Sequence, residues 1–402
     1  MSLHLNRQAI IRSLTVLAAA AATLLQGATT SPKQSTKKTA SKSSKKATGA
    51  RKTVPAKATA FAAKPTTSAA VKRTVRRSSS VSRSRWSAPN YALSTEGDLV
   101  EGDDLVARNA AVGALGRLNG SVVVADADSG RILTIVNQKL AYKSGFQPCS
   151  TIKVPVALAA LSETVIDRLT KIRIYGNTKV AMTEALAKSN NQYFASLGEK
   201  LGFERMSYYA RLFGLGEKAS LDIEQEQPGI LPSETPKSGM GMMTSFGDGI
   251  TITPLEMAGL MGAVANGGTL YYLQYPKNQQ QAGEMIPQVK RRLDIDYLIP
   301  EIKPGMMGAV EYGTARRIGF DPNEPIYGKT GTCTDTRTPT HLGWFGSFTE
   351  VGDQRLVVVV LLTGGSAVSG PTAAGVAGNV YKNLDAGNYF AKRPVVIASA
   401  GQ

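Results

Sequence analysis

Residues 326–363 read IYGKTGTCTDTRTPTHLGWFGSFTEVGDQRLVVVVLLT. Three runs rich in β-branched and aromatic residues, 326–333, 341–348 and 356–363, are separated by polar segments carrying Asp, Thr, Pro and Gly. That pattern predicts three successive strands. The last run, LVVVVLLT, has no apolar–polar alternation, so it is expected to be buried on both faces. Far upstream, 121–126 and 131–136 predict two more short strands, joined by the hairpin turn signal Asp128-Ser129-Gly130. Between the two strand groups, 151–268 is largely helical in pattern. One helix there is well signalled: Thr253, Pro254 and Glu256 fit the N-cap, N1 and N3 positions of a capping box, and Asn266-Gly267-Gly268 ends it. Helices are also predicted at 105–118 and 372–384. Strands, then helices, then strands and a helix point to an α/β lobe with a helical insert. The globular part, 98–390, is long enough to bury a sizeable core.

Charge divides the chain. Its 402 residues hold 47 Lys and Arg against 30 Asp and Glu, a formal charge of +17. Before Glu96 there are 18 basic residues and no acidic one, which leaves 29 basic against 30 acidic in the remainder. The folded part is therefore near neutral, which argues against a nucleic-acid-binding face. Residues 1–28 read as a signal peptide or signal anchor: Arg7 and Arg12 precede the apolar run LTVLAAAAATLL, followed by Gly27 and Ala28. Residues 29–97 are Ser, Thr, Ala, Lys, Arg and Pro with few large apolar groups, the composition of a disordered basic linker. Residues 391–402 are expected to form a C-terminal tail. An export signal places the rest outside the cytoplasm, on the outer face of the membrane or in the periplasm, with membrane association through the N-terminus.

Three short motifs follow in order: Ser150-Thr-Ile-Lys153, Ser189-Asn190-Asn191 and Lys329-Thr330-Gly331-Thr332. Ser-x-x-Lys alone is weak, since it recurs at Ser35/Lys38 and Ser43/Lys46 in the linker. Ser150 differs by preceding VPVALAALSETV, a helix-forming run, which places it at a helix N-terminus. Positions i and i+3 share a helix face, so the Lys153 amine comes alongside the Ser150 hydroxyl. A serine hydroxyl needs an adjacent base, and a lysine serves only if burial or a neighbouring cation lowers its pKa. Lys329 is a candidate for that cation. Histidine is nearly excluded as the base: His4 lies in the targeting segment and His341 opens a strand, where a structural role is expected. Two His and two Cys in the chain make a metal site unexpected, and no cofactor is implied.

The motif set resembles that of penicillin-binding proteins and class A β-lactamases. SFGDGITITPLEMAGLMGAVANGG, GMMGAVEYGTA, YGKTGT, HLGWFGSF and FGLGEKASLDIEQEQPGILP look like blocks of penicillin-binding-protein transpeptidase domains, over about residues 120–384. The resemblance implies a central antiparallel sheet flanked by helices, an all-helical lobe, and an active site between them. It implies that Ser150 attacks a D-alanyl-D-alanine stem peptide of peptidoglycan, or a β-lactam acting as covalent inhibitor, giving an acyl-enzyme. Lys153 then takes the Ser150 proton, and Ser189 shuttles a proton to the leaving amine. Asn191 binds the acyl side chain and Lys153. Lys329, Thr330 and Thr332 hold the terminal carboxylate, and Gly331 lets substrate lie along the strand edge. The backbone N–H groups of Ser150 and Thr332 form the oxyanion hole.

Cys149 and Cys333 depart from the family pattern, where glycine and alanine are common. In the family fold the start of the Ser150 helix faces the Lys329 strand, so the resemblance implies a Cys149–Cys333 disulfide, in an oxidising compartment. The alternative function is a class A-like β-lactamase. Such enzymes deacylate with a Glu-x-x-x-Asn segment after the second motif. Here Glu224 and Glu226 stand at a suitable distance, but Pro228 and Ile230 occupy the fourth positions after them. Both glutamates are expected on a solvated face. A penicillin sensor would need signalling segments, and a structural wall-binding protein would not need all three motifs.

Overall fold

The computed structural model describes residues 86–390 apart from 320, 322, 336, 337 and 352. The expected targeting segment, the linker up to residue 85 and the C-terminal tail beyond 390 lie outside the described residues. No helix among the described residues is long and apolar enough to cross a membrane.

Helix α1, Leu105–Leu115, is capped by Asp104, whose side chain accepts from the backbone N–H of Val106 and Ala107. It leads into the hairpin β1, Gly120–Asp126, and β2, Ile132–Val136. The predicted turn forms because Asp126 accepts from Asp128 N and Ser129 Oγ, both at 2.8 Å. Helix α2, Gln138–Ala141, is short, and a 3-10 turn, Cys149–Ile152, runs into α3, Lys153–Ser162. The middle of the chain adds β3, Ile172–Tyr175; β4, Thr178–Val180; α4, Met182–Ala187; α5, Asn191–Leu212; α6, Met240–Phe246; and α7, Pro254–Ala265. Then come β5, Thr269–Tyr271; α8, Gln279–Glu284; β6, Val289–Arg292; and α9, Ile299–Glu311. The chain closes with β7, Ile326–Asp335; β8, Thr340–Val351; β9, Gln354–Gly364; and α10, Gly370–Ala386.

Five strands form one sheet in the order β2-β1-β9-β8-β7, with every neighbouring pair antiparallel. β9 is central, and its unalternating run behaves as the sequence predicts. Val357, Val359 and Leu361 enter one apolar cluster, shared with α3 and α7; Leu356, Val358, Val360 and Leu362 enter a second, shared with α1 and α10. Fully burying each such side chain contributes about 1.5–3 kcal/mol. The capping box of α7 is complete: Thr253 Oγ1 accepts from Glu256 N, and Glu256 accepts from Thr253 N. Besides its helices, the middle region carries two small ribbons, β3–β4 and β5–β6.

β7 is an edge strand, and it carries the third motif. Among the described residues no other strand covers its outer edge, so backbone groups along that edge can pair with an extended ligand. Residues 86–97, which composition assigns to the linker, lie against the domain. The Trp86 ring sits 5.6 Å from that of His341, Asn90 Oδ1 accepts from Gly365 N at 2.7 Å, and Tyr91 bridges Leu118. Trp86 thus meets the domain through its ring and Tyr91 through its backbone.

Candidate active site

The nucleophile turn is braced from behind. Trp344 on β8 is fully buried, and its Nε1–H donates to Gln147 O at 2.9 Å. The Gln147 side chain donates to Phe246 O, at the end of α6, at 3.1 Å. Thr151 Oγ1 donates to Pro148 O at 2.6 Å, closing the turn that presents Ser150. Cys149 is held at φ +52°, a left-handed conformation unusual for a side-chain-bearing residue. Its sulfur is bonded to that of Cys333 on β7, with the two Cα atoms 5.5 Å apart and a sequence separation of 184. The expected disulfide is therefore present.

Lys153 opens α3 and is fully buried. Its Nζ lies 2.6 Å from Ser150 Oγ, 2.7 Å from Asn191 Oδ1 and 3.2 Å from Ser189 Oγ. The rings of Phe194 and Phe246 approach it at 5.8 and 5.7 Å. Burial in these surroundings, reinforced by the positive charge of Lys329, lowers the Lys153 pKa to about 6. At neutral pH this amine is mostly unprotonated and can accept a proton from Ser150. Lys329 is also fully buried, and burial lowers its pKa to about 7; its Nζ donates to Thr330 O at 3.0 Å.

Ser189 reaches Lys153 from a turn between α4 and α5, where it too adopts a left-handed φ, +56°. Asn190 holds that turn as the N-cap of α5: its Oδ1 accepts from Tyr193 N at 2.9 Å, and its N–H donates to Ala185 O at 2.8 Å. A non-glycine residue in this region costs on the order of 1–3 kcal/mol, which surrounding structure must offset. Ser150, Lys153, Ser189 and Asn191 thus converge on one amine.

The strand bearing Lys329 presses against the nucleophile turn. A Cβ on Gly331 would stand 2.8 Å from Pro148 O and 3.2 Å from the Cys149 Cβ, so the chain's own packing already demands glycine there. Thr330 Oγ1 pairs with Thr314 Oγ1 at 2.6 Å, and Thr332 Oγ1 accepts from Gly370 N at 2.7 Å. The sequence singled out none of Gln147, Trp344, Phe194, Phe246 and Thr314 as part of the site, although Thr314 lies in the EYGTA stretch.

One expectation is corrected. Glu226 is fully buried rather than on a solvated face. Its two carboxylate oxygens accept from Ala219 N at 2.9 Å and Ser220 N at 2.8 Å, and from the Ser220 hydroxyl. The 219–226 loop folds back on this carboxylate and consumes it. Glu224 is exposed. His341 is partly buried, with Nδ1 3.0 Å from Thr334 Oγ1 and its ring on Trp86; burial lowers its pKa. A cavity of about 760 Å³ bordered by Leu99, Tyr142, Ile223 and Tyr275 contains none of the motif residues. Among the described residues, no group of three or more His, Cys, Asp or Glu is placed to hold a metal ion.

Residues 120–384 match the penicillin binding protein transpeptidase domain. Stage V sporulation protein D of Bacillus subtilis is 28% identical over 282 residues, covering 62% of this chain and 44% of that protein. Peptidoglycan D,D-transpeptidase PbpA of Mycobacterium tuberculosis is 28% identical over 270 residues, covering 58% of this chain and 54% of that protein. The chain spans about half the length of these curated relatives. The crystal structure of Pseudomonas aeruginosa PBP2 in complex with WCK 5153 superposes with a TM-score of 0.60 at 22% identity, over 71% of this chain and 77% of that one, and shares the fold. The chain belongs to the penicillin-binding protein transpeptidase family.

Proposed function

We propose that this protein is a serine D,D-transpeptidase of peptidoglycan, acylated at Ser150 by stem peptides ending in D-alanyl-D-alanine and by β-lactams. The observation that carries the reading is the buried Lys153 amine, 2.6 Å from Ser150 Oγ and lowered to about 6. Ser150 Oγ attacks the carbonyl of the penultimate D-alanine and passes its proton to Lys153. The backbone N–H groups of Ser150 and Thr332 hold the oxyanion, each such donor being worth about 3 kcal/mol. The C–N bond then breaks, and the amine of the terminal D-alanine leaves with a proton delivered through Ser189. The amine of a second stem peptide attacks the ester, forms the cross-link and frees Ser150; water in its place gives carboxypeptidation. With a β-lactam the severed amine stays tethered to the acyl group. Lys329, Thr330 and Thr332 bind the substrate's carboxylate.

The engagement of Glu226 favours this reading over a β-lactamase, because both oxygens that would activate a deacylating water are taken by Ala219 and Ser220. Time-resolved mass spectrometry with a β-lactam tests it. A long-lived adduct on Ser150 is expected; rapid turnover without a persistent adduct would support the hydrolase instead. We also infer export and attachment beside the membrane through the basic N-terminus, with no nucleic-acid partner, from the targeting pattern and the charge division.

Base catalysis by Lys153 sets the pH dependence. Burial depresses its pKa, so the amine is protonated and unable to accept below about 6, and competent above it. The second-order rate constant for acylation should therefore rise with pH about a midpoint near 6, and for a carboxylate-bearing substrate fall again above about 7 as Lys329 loses the charge that binds the carboxylate. A rise centred at an ordinary lysine value would overturn the account of an amine whose pKa burial depresses.

A further inference from the structure

Side chains alternate along a strand, so Thr330 and Thr332 share one face of β7 while Lys329, Gly331 and Cys333 share the other, towards the nucleophile turn. The protons of the two hydroxyls are constrained differently. Gly370 N at the start of α10 is a donor only, and it donates to Thr332 Oγ1 at 2.7 Å. The Thr332 proton is thus left to point elsewhere, towards an incoming anion. Thr330 Oγ1 faces another hydroxyl, that of Thr314, at 2.6 Å, and one of the pair must donate to the other.

Thr314 is not loosely placed. It follows α9, and its N–H donates to Ala187 O, the last residue of α4, at 3.2 Å. The preceding Gly313 is pressed so close that a Cβ there would stand 2.2 Å from the same Ala187 O. Ala187 is two residues before Ser189. Thr314 therefore ties the turn carrying the second motif to the strand carrying the third, and its hydroxyl is the contact on the strand side.

We propose that Thr314 is a positioning residue for the donor substrate's terminal carboxylate. It donates its hydroxyl proton to Thr330 Oγ1, so that the Thr330 proton points, beside that of Thr332, at the carboxylate. This rests on the transpeptidase reading of the site. A carboxylate can only accept, so it draws a proton from Thr330; Thr330 must then accept from Thr314. The result is two parallel donor chains, Thr314 to Thr330 to carboxylate and Gly370 N to Thr332 to carboxylate, in which each first donor polarises the second.

The test uses two probes, the thioester of benzoyl-D-alanine with thioglycolic acid, which ends in a free carboxylate, and its methyl ester. Acylation of Ser150 releases the corresponding thiol. Thr314→Val is expected to slow acylation by the free acid about tenfold, mainly through weaker binding, and to leave the methyl ester within about twofold. Thr314→Ser should restore the rate, and Thr314→Val added to Thr330→Val should cost nothing beyond Thr330→Val alone. Equal losses with both probes, additive losses in the double variant, or no loss in Thr314→Val would overturn the proposal; Thr314→Ala repeats the comparison if valine crowds the turn. A wild-type protein that accepts neither probe nor any β-lactam would defeat the transpeptidase reading itself, a result distinct from any pattern among the variants.

Discussion

Lys153→Met is expected to slow acylation of Ser150 by about 10²–10⁴-fold, the range that a positioned general base supplies. Ser150 would keep its turn, its Trp344-braced support and the proposed oxyanion donors, but no other group in the described site sits 2.6 Å from its hydroxyl ready to accept a proton. Methionine fills the space between Phe194 and Phe246 that alanine would leave empty, so lost catalysis is separated from lost packing. Stability should move the other way. The lysine has a folded pKa of about 6 against the ordinary 10.5, so burial disfavours its charged form. That penalty is full below about pH 6 and fades as pH rises towards 10.5. Lys153→Met should therefore raise the thermal midpoint relative to the wild type, and more so at low pH than at high pH. Paired measurements of acylation rate and thermal midpoint decide it. A variant that keeps its rate removes Lys153 from the mechanism, and one that loses stability at every pH contradicts the account of a strained, buried amine.

The features legible in the sequence were those whose physics is local. The run Leu356–Thr363 announced a strand buried on both faces because every position in it is apolar or small, and Thr253, Pro254 and Glu256 announced a helix start because capping acts across three residues. Ser150 and Lys153 were legible for the same reason, since one turn of helix brings them together. Ser189 and Asn191 became legible only through the family resemblance, and Lys329 was no more than a candidate cation before it, as nothing in their own neighbourhoods says that they meet Lys153.

What the sequence hid depends on contacts across long separations. Glu226 stands in the polar stretch DIEQEQ and reads as solvent-facing, yet the loop from Ala219 curls over it and satisfies it with backbone N–H groups. Such curling has no periodic signature. The short polar strands Ile172–Tyr175 and Val289–Arg292 lacked the length and alternation that would separate them from loop. Trp86 lies among serines and arginines, and its docking on His341 spans more than half the chain. Thr314 was visible as part of a recurring block but not as the partner of Thr330, because only the close approach of Gly313 to Ala187 puts it there.

Breaking the Cys149–Cys333 bridge, by reduction or by the paired substitution Cys149→Ser with Cys333→Ser, is expected to destabilise the domain by about 2–5 kcal/mol. The bond closes a loop of 184 residues, and the chain-entropy model gives about 5 kcal/mol for a loop of that size, an upper figure when the reduced chain retains structure. For a domain of this size the thermal midpoint should fall by about 5–10 °C. Acylation should suffer less, because three other ties hold the two walls of the site together: the close approach of Gly331 to Pro148, the Trp344 bond to Gln147 and the Lys153 contacts to Asn191 and Ser189. The walls nonetheless carry the two proposed oxyanion donors, Ser150 beside Cys149 and Thr332 beside Cys333, and their spacing is what the bridge fixes. A shift of a few tenths of an ångström there would weaken donors aimed at developing charge, and a loss of about tenfold in acylation at unchanged pH midpoint is the expected result. The pH midpoint should hold because the charge acting on the buried Lys153 is that of Lys329, which neither substitution removes. Alkylation of unreduced, denatured protein should label no thiol. Labelling of both cysteines, or identical thermal midpoints with and without reductant, would remove the bridge from the account of the site.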